Sequence, residues 1–236
     1  MERRKAVWIT GASSGIGKAL SIKFAGSGIL VLGTARRIDL LNGVKNELAD
    51  QANFFESHQL DISNSDLVGQ FYKNISSEFE IECLINNAGT TSFKNAVGNS
   101  IQEIEEIIRT NLLGSIYAIK SVLPEMLERK SGTIINILSV VTQKVFTASS
   151  AYSASKSGLH AYAKVLREEV RDRNIRVINV SPGATATAIW PDGVLNKHAE
   201  RMMNTDAIAE LIYRAYSEKS NLVPEELVLR PIKGDL

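Results

Sequence analysis

Short apolar runs alternate along the chain with longer stretches that have helical periodicity or helix-forming composition. Five of the short runs are almost continuously apolar, as is typical of strands buried on both faces of a sheet. The predicted strands are residues 6–10, 29–34, 53–60, 81–86, 133–138, 176–181 and 227–230. The predicted helices are residues 15–27, 39–50, 65–79, 100–129, 150–173 and 206–218. Because strands and helices alternate, the pattern predicts an α/β fold with a doubly wound, mostly parallel seven-stranded sheet flanked by helices.

The chain has 236 residues and a hydrophobic content of 44%, which is enough for one large core. No internal repeat, low-complexity tract or linker divides it, so we expect a single domain over residues 1–236. The longest irregular segment covers about residues 182–205, between the sixth and seventh strands. Long loops in compact domains often cover binding sites, so we expect a substrate lid at about residues 184–205, with a plain surface excursion as the alternative.

The charge balance excludes some classes of partner. With 27 basic and 26 acidic residues the net charge is +1, so there is no field to hold a nucleic acid or an anionic membrane. No apolar run has the length of a membrane span or of a secretory signal, and the single cysteine, Cys83, allows no intrachain disulfide. We therefore expect a cytoplasmic protein that binds neither nucleic acid nor membrane.

A glycine-rich turn follows the first predicted strand and leads into the first predicted helix. It reads Thr10-Gly11-Ala12-Ser13-Ser14-Gly15-Ile16-Gly17. Glycines let the backbone approach a pyrophosphate closely, and the N-terminus of the helix offers free N–H groups and a positive dipole end. The spacing is Gly-x-x-x-Gly-x-Gly rather than the commoner Gly-x-Gly-x-x-Gly. The turn therefore indicates a dinucleotide site.

Small and polar residues follow several other strands. Asn86-Asn87-Ala88-Gly89 ends the fourth strand, Ser139 follows the fifth, and Ser181-Pro182-Gly183 ends the sixth. Each alone is compatible with a simple turn. Together they lie at the carboxyl ends of the strands, where open α/β sheets bind ligands. The sequence therefore predicts one binding crevice along this edge.

The end of the second strand indicates which dinucleotide binds. An NAD site needs a carboxylate there for the ribose hydroxyls, whereas an NADP site needs a cation for the 2′-phosphate. Ala35 stands near the carboxylate position, and Arg36 and Arg37 follow it. Guanidinium groups suit phosphate, so the pattern favours NADP(H) over NAD(H), with two solvated loop arginines as the alternative.

Taken together, these segments resemble the short-chain dehydrogenase/reductase family from about Lys5 to Thr187. The stretch Thr10–Gly17, which includes Gly11, Ser13, Ser14, Gly15, Ile16 and Gly17, is similar to its glycine motif. The resemblance assigns a catalytic tetrad to Asn111, Ser139, Tyr152 and Lys156. It assigns further cofactor contacts to Asp61 and Ile62 near adenine, to Asn87, Ala88 and Gly89, and to Pro182, Gly183 and Thr187 at the nicotinamide carboxamide.

The resemblance implies a Rossmann-type oxidoreductase that moves hydride between a nicotinamide dinucleotide and a small-molecule carbonyl or alcohol. Tyr152 is the expected general acid/base, and its ordinary pKa near 10 needs lowering by a nearby cation. Lys156 lies at i+4 on the same predicted helix face, and we expect it to lower that pKa and to hold the ribose. Ser139 is expected to bond the substrate oxygen, and Asn111 to fix a water that links Lys156 to solvent. A homodimer or homotetramer through the long helices at 100–129 and 150–173 is also implied.

The substrate itself is not specified by these motifs. An apolar pocket is expected from Val140, Val145, Phe146, Trp190, Met202 and Met203. The three histidines lack ligand spacing, so no metal site is expected. Two alternatives stay open: a 3-oxoacyl-carrier-protein reductase, which needs a basic docking surface, and a non-catalytic regulator that only binds dinucleotide.

Overall fold

A computed structural model of the protein describes residues 3–218 and 220–235, so the ends of the predicted domain at residues 1 and 236 lie outside the described part. The strands are β1 (Arg4–Thr10), β2 (Val31–Ala35), β3 (Phe55–Gln59), β4 (Phe79–Asn86), β5 (Gly132–Ile137), β6 (Ile175–Pro182) and β7 (Glu226–Leu229). The helices are α1 (Gly15–Gly26), α2 (Ile38–Glu47), α3 (Ser65–Ile75), α4 (Ile101–Ile108), α5 (Gly114–Arg129), α6 (Ser150–Val170), α7 (Asp192–His198) and α8 (Thr205–Ser217).

The seven strands form one sheet in the order β3-β2-β1-β4-β5-β6-β7. Every neighbouring pair is parallel, so the sheet is parallel throughout rather than mostly. The predicted Rossmann-type, doubly wound architecture is confirmed. Within the described ranges no helix has both the length and the apolar character to cross a bilayer.

Two apolar cores cover the faces of the sheet. Side chains alternate along a strand, so Ile9 of β1 faces the core under α1, α2 and α8, whereas Trp8 faces the core under α3, α5 and α6. Both residues are fully buried. This burial on both faces explains why the strands are continuously apolar. A polar ligand site is therefore expected at the carboxyl ends of the strands and not on the covered faces.

Several predicted boundaries were wrong. Residues 49–54 form a 3₁₀ helix, so β3 begins at Phe55 rather than at residue 53. Phe79, predicted at the end of a helix, begins β4 because its side chain is buried in the sheet core. The segment 182–205 contains α7 and a 3₁₀ turn, so it is less irregular than predicted.

The long helix predicted over residues 100–129 is interrupted. A capping box between Ser100 and Glu103 begins α4, as Ser and Glu at this spacing favour. Residues Arg109–Leu113 then form one π-helical turn before α5 begins. Such turns are rare and often occur at functional sites, and this one contains Asn111.

A row of hydrogen-bonded side chains crosses the four strands β4, β5, β6 and β7. Asn86 of β4 donates to Asn136 of β5 (2.9 Å), Asn136 donates to Asn179 of β6 (3.1 Å), and Asn179 donates to Glu226 of β7 (2.9 Å). Arg167 of α6 donates to the same Glu226 oxygen at 2.9 Å. All four positions are paired in register, so this amide row joins four strands at one level.

Candidate active site

One cavity of about 760 Å³ opens at the carboxyl ends of the strands. The structure brings almost all of the predicted site residues into its wall. Those in the wall are Gly11, Ser13, Ser14, Gly15, Ile16, Arg36, Arg37, Asp61, Ile62, Asn87, Ala88, Gly89, Ser139, Tyr152, Lys156, Pro182, Gly183 and Thr187. Gly17 and Asn111 do not line the cavity but lie behind it.

The glycines of the first turn are required by backbone geometry. Gly11 and Gly15 have φ values of +66° and +54°, in the left-handed region that favours glycine. A Cβ on Gly17 would lie 2.2 Å from the carbonyl oxygen of Gly11 and 2.4 Å from Nδ2 of Asn87. Gly17 therefore acts by letting the turn fold tightly rather than by lining the cavity.

The segment after β4 braces this turn. Nδ2 of Asn87 donates to the carbonyl oxygens of Thr10 (3.0 Å) and Gly11 (3.1 Å). The Thr10 hydroxyl accepts from the backbone N–H groups of Asn87 and Ala88 at 3.0 and 3.1 Å. Ser14, at the N-cap of α1, makes no side-chain cap, so the first N–H groups of this helix face the cavity without a capping partner. A close-packed turn with exposed helix N–H groups fits a pyrophosphate.

The far end of the cavity, next to β2, carries cations. Ala35 ends the strand as a buried residue, and Arg36 and Arg37 are exposed at the cavity wall. Arg36 makes an ion pair with Glu106 at 3.5 Å between two exposed side chains, which is a weak restraint. Both guanidinium groups can therefore turn toward a phosphate.

Asp61 and Ile62 lie beyond β3 in the same wall. Oδ1 of Asp61 accepts from the backbone N–H (3.0 Å) and the hydroxyl (2.7 Å) of Ser63. This local turn fixes the carboxylate, and its second oxygen stays available to a ligand.

Tyr152 and Lys156 lie one turn apart on α6 beside Ser139. The Tyr152 hydroxyl is hydrogen-bonded to Ser139, which follows β5. Lys156 is only 4% exposed, and its Nζ donates to the carbonyl oxygen of Ile137 at 2.7 Å. The structure brings these three side chains together, as predicted, and the ionisable hydroxyl of Tyr152 lies in the cavity wall.

The expected effect of Lys156 on Tyr152 is not what the structure shows. Burial raises the pKa of Tyr152 to about 12, and only the Ser139 bond acts to lower it. Nζ of Lys156 lies 5.8 Å from the centroid of the Tyr152 ring and is bonded to Ile137 instead. Burial also lowers the pKa of Lys156 to about 8. Desolvation therefore dominates both groups, and the phenol is protonated at neutral pH.

Asn111 is fully buried in the π-helical turn. Its side chain accepts from the backbone N–H of Thr90 (2.8 Å) and donates to the carbonyl oxygen of Thr90 (2.9 Å) and to the Ser155 hydroxyl (3.0 Å). A Cβ on Gly89 would lie 3.4 Å from Oδ1 of Asn111 and 3.6 Å from Nζ of Lys156. Asn111 therefore ties the segment after β4 to α6 immediately beside the lysine.

The predicted apolar pocket is only partly correct. Val140, Phe146 and Trp190 line the cavity. Val145 is 91% exposed and points away, whereas Met202 and Met203 pack inside the protein. These two methionines lie where the segment 184–205 returns to the core, which explains why they do not reach the cavity.

Two further residues of the cavity wall were not predicted from the sequence. Phe93 stacks on Trp190 with ring centroids 4.8 Å apart and planes 21° apart. Its position shortly after Asn87–Gly89 could have suggested it. Asp235, close to the end of the chain, also lines the cavity, and no motif marks it.

Comparisons with known proteins agree with this geometry. The family model described as short chain dehydrogenase matches residues 5–196. Sepiapterin reductase of Chlorobaculum tepidum is 31% identical over 97% of this chain and 96% of its own. A metagenomic short-chain oxidoreductase in complex with NADP superimposes with a TM-score of 0.84 at 29% identity, covering 97% of this chain and 96% of the other. An alcohol dehydrogenase of Thermococcus sibiricus, complexed with 5-hydroxy-NADP, gives 0.88 at 26% identity, covering 100% and 99%.

The family match covers most of the chain, and it includes both the glycine turn and the Tyr152–Lys156 pair. The chain therefore belongs to the short-chain dehydrogenase family, and it is an enzyme of the dehydrogenase/reductase class.

Proposed function

We propose that the protein is an NADP(H)-dependent oxidoreductase that reduces a small ketone or aldehyde to an alcohol, or catalyses the reverse, with Tyr152 as the general acid/base. The observation that carries this proposal is the Tyr152 hydroxyl, bonded to Ser139 and one helical turn from the buried Lys156, in the wall of a cavity that reaches the glycine turn. Hydride is the chemistry that the dinucleotide supplies.

The residues of the wall fit such a cofactor. The turn from Gly11 to Gly17 would hold the pyrophosphate on the backbone N–H groups of α1, with Asn87–Gly89 alongside. Asp61 and Ile62 would hold the adenine. Pro182, Gly183 and Thr187 would hold the carboxamide, and Lys156 the ribose hydroxyls.

Proton transfer falls to Tyr152. Burial keeps the phenol protonated at neutral pH, so the proton for the oxygen of a carbonyl undergoing reduction is in place. Its transfer would require the pKa of the phenol to fall once cofactor and substrate are bound. The single proton of the Ser139 hydroxyl would go either to the Tyr152 oxygen or to the substrate oxygen. The ammonium of Lys156 is bonded to the Ile137 carbonyl oxygen, and it would have to leave that oxygen to stabilise the phenolate. Asn111, through Thr90 and Ser155, would position Lys156 and a water on its solvent side.

The choice of NADP(H) rests on the end of β2. Ala35 provides no carboxylate for ribose hydroxyls, and Arg36 and Arg37 are both exposed. The ion pair of Arg36 with Glu106 is weak. The similar structures that contain NADP or 5-hydroxy-NADP support the same choice.

We also propose that residues 1–236 form one domain whose segment 184–205 is a substrate lid. Backbone bonds from Ala186 to Met203 (3.0 Å) and from Met203 to Ala184 (2.9 Å) join the two ends of the segment. Trp190, between these ends, lines the cavity and donates from its indole to the carbonyl oxygen of Thr185 at 3.0 Å. A segment whose two ends are hydrogen-bonded to each other, and whose Trp190 stacks on Phe93 in the cavity wall, suits a lid.

A homodimer or homotetramer is part of the proposal. Ile101 on α4 and Val165 on α6 are 66% and 60% exposed, and they lie on the two long helical regions expected to pair. Burying such apolar side chains favours symmetric association. Sedimentation at micromolar concentration that gives only the 25.8 kDa monomer would contradict it.

The direct test is loss of NADPH absorbance with a panel of ketones, aldehydes and 3-oxoacyl thioesters, repeated with NADH. We expect turnover with at least one carbonyl and a KM for NADPH at least about tenfold below that for NADH. Arg36→Asp should reverse this preference while the melting temperature stays unchanged. Tight binding of NADPH without turnover on any carbonyl would instead indicate a dinucleotide-binding regulator.

A further inference from the structure

Asp235 follows β7 and returns to the cavity at the carboxyl ends of the strands. It lies in the cavity wall with a side chain that is only 8% exposed. Among the described residues, the only other carboxylate in that wall is Asp61, at the opposite end next to β3. An almost buried carboxylate needs partners, and Asp235 has them.

Three cations from three different segments converge on Asp235. Nζ of Lys144, in the loop before α6, donates to Oδ2 at 2.8 Å. Arg230, after β7, binds both carboxylate oxygens through Nε and Nη2. Arg201, in the segment 184–205, donates to the backbone carbonyl oxygen of Asp235 at 3.3 Å. The two salt bridges hold the pKa of Asp235 below its usual range, so the carboxylate is ionised at neutral pH.

A turn after β7 places the Asp235 carboxylate at the cavity. Pro231 is buried against Gly183, where a Cβ on the glycine would lie 3.3 Å from Cδ of the proline. The backbone then reverses in a turn closed by the Gly234 N–H and the Pro231 carbonyl oxygen at 2.8 Å, with a φ of +80° at Gly234. The turn points Asp235 back toward the cavity, away from the direction of β7.

What Asp235 holds is the substrate-facing loop at residues 143–149. This loop places Phe146 and Thr147 in the cavity wall. Nζ of Lys144 also lies 5.4 Å from the centroid of the Phe146 ring, within cation–π range. Fixing the ammonium of Lys144 therefore restrains the aromatic ring that a substrate meets. Ala148, with a φ of +56°, shows that the loop is held in a conformation that alanine disfavours.

We propose that Asp235 is a positioning residue that latches the loop 143–149, through Lys144, onto the end of β7 and so forms the wall of the substrate end of the cavity. The proposal rests on the proposed carbonyl-reducing function for its kinetic consequence, but not for its structural one. Lys144 and Arg230 keep side-chain exposures of 56% and 47%, so salt weakens the latch.

The kinetic test compares Asp235→Asn and Asp235→Glu with the parent. We expect the asparagine variant to raise the KM for the carbonyl about three- to tenfold, with kcat within about twofold and the NADPH Kd unchanged. The glutamate variant keeps the charge and should restore most of the affinity. In the parent, raising the ionic strength from about 0.02 M to about 0.5 M should raise the same KM, and Asp235→Asn should remove this salt dependence.

A second readout needs no substrate. Limited trypsin digestion should cut after Lys144 faster in Asp235→Asn than in the parent, and at the parental rate in Asp235→Glu. Asp50→Asn, at an exposed aspartate outside the cavity, is the matched control and should change neither readout. Faster cleavage without turnover on any carbonyl keeps the latch and overturns the proposed function. An Asp235→Asn variant with parental KM and parental cleavage overturns the latch.

Discussion

The two ends of the cavity are built from different materials. The end next to β1 and β4 is made by backbone: left-handed glycines, strand termini, and the hydrogen bonds between Asn87 and the carbonyl oxygens of Thr10 and Gly11. The other end is made by side chains that meet between loops, in the stack of Phe93 on Trp190 and in the salt bridges of Asp235.

This difference explains which part of the site is restricted in residue type. A backbone path that needs φ near +60°, or has no room for a Cβ, accepts little besides glycine. A contact between two loop side chains can be replaced by many other pairs of suitable shape or charge. The first end therefore carries a recognisable motif, whereas the second end carries none.

Tyr152 lies where the two ends meet, and its removal should have the largest effect. Tyr152→Phe keeps the ring in the wall but removes the proton donor bonded to Ser139. We expect kcat for carbonyl reduction to fall at least about a hundredfold, with little change in the NADPH Kd. Steady-state kinetics and a binding titration measure the two quantities. A variant that retains most of its turnover would place the proton donor elsewhere in the cavity.

The buried ammonium of Lys156 is expected to lower the free energy of unfolding. Burial lowers its pKa to about 8, so at pH 7 the folded protein holds an ammonium that water would solvate better. We expect Lys156→Met without added cofactor to be on the order of 2 kcal/mol more stable at pH 7, while activity is lost. The free-energy penalty of burying the ammonium applies in full below about pH 8 and is relieved as the pH rises toward the ordinary lysine pKa of 10.5. The difference in stability between the two proteins should therefore shrink over that pH range.

Urea unfolding at pH 7 and at pH 10 measures this difference. Lys164→Met, at an exposed lysine on the same helix, is the control and should show no comparable gain. A parent that is more stable than Lys156→Met at pH 7 would mean that the bond to the Ile137 carbonyl outweighs desolvation.

Gly17→Ala tests the backbone-built end. Its Cβ would lie 2.2 Å from the Gly11 carbonyl oxygen, which must shift and break the bond from Asn87. We expect the NADPH Kd to rise about tenfold, because the turn can no longer close on the pyrophosphate. Gly26→Ala, where nothing lies within 4 Å of the added carbon, should leave the Kd unchanged. Equal affinities for both variants would show that the turn can move to admit a Cβ at residue 17.

Trp190→Ala tests the side-chain-built end and should have the smallest effect. The loss of the stack on Phe93 should raise the KM for the carbonyl about three- to fivefold and leave the NADPH Kd unchanged. Trp190→Phe preserves a stacked ring and should stay near the parental KM. If NADPH affinity fell instead, the two ends would not be energetically separate.

The fold and the chemical centre could be predicted because they depend on repeated, restrictive patterns. The predicted strand runs, five of them almost continuously apolar, overlap all seven strands, and the Tyr152–Lys156 spacing placed both side chains on one face of α6. The π-helical turn that buries Asn111 could not be predicted, because it is one extra residue in an otherwise helical pattern. The salt bridge between Lys144 and Asp235 could not be predicted either, because no motif links two residues 91 positions apart in the chain.

The amide row across β4, β5, β6 and β7 restricts which residues these four strands can accept. Each internal amide gives one hydrogen bond and receives another, so replacing Asn136 alone strands a donor on Asn86 and an acceptor on Asn179 in the dry interior. Single substitutions in the row are therefore disfavoured, and its members are expected to change together or not at all. The row thus limits substitution immediately before Asn87 and Ile137, which line the cavity.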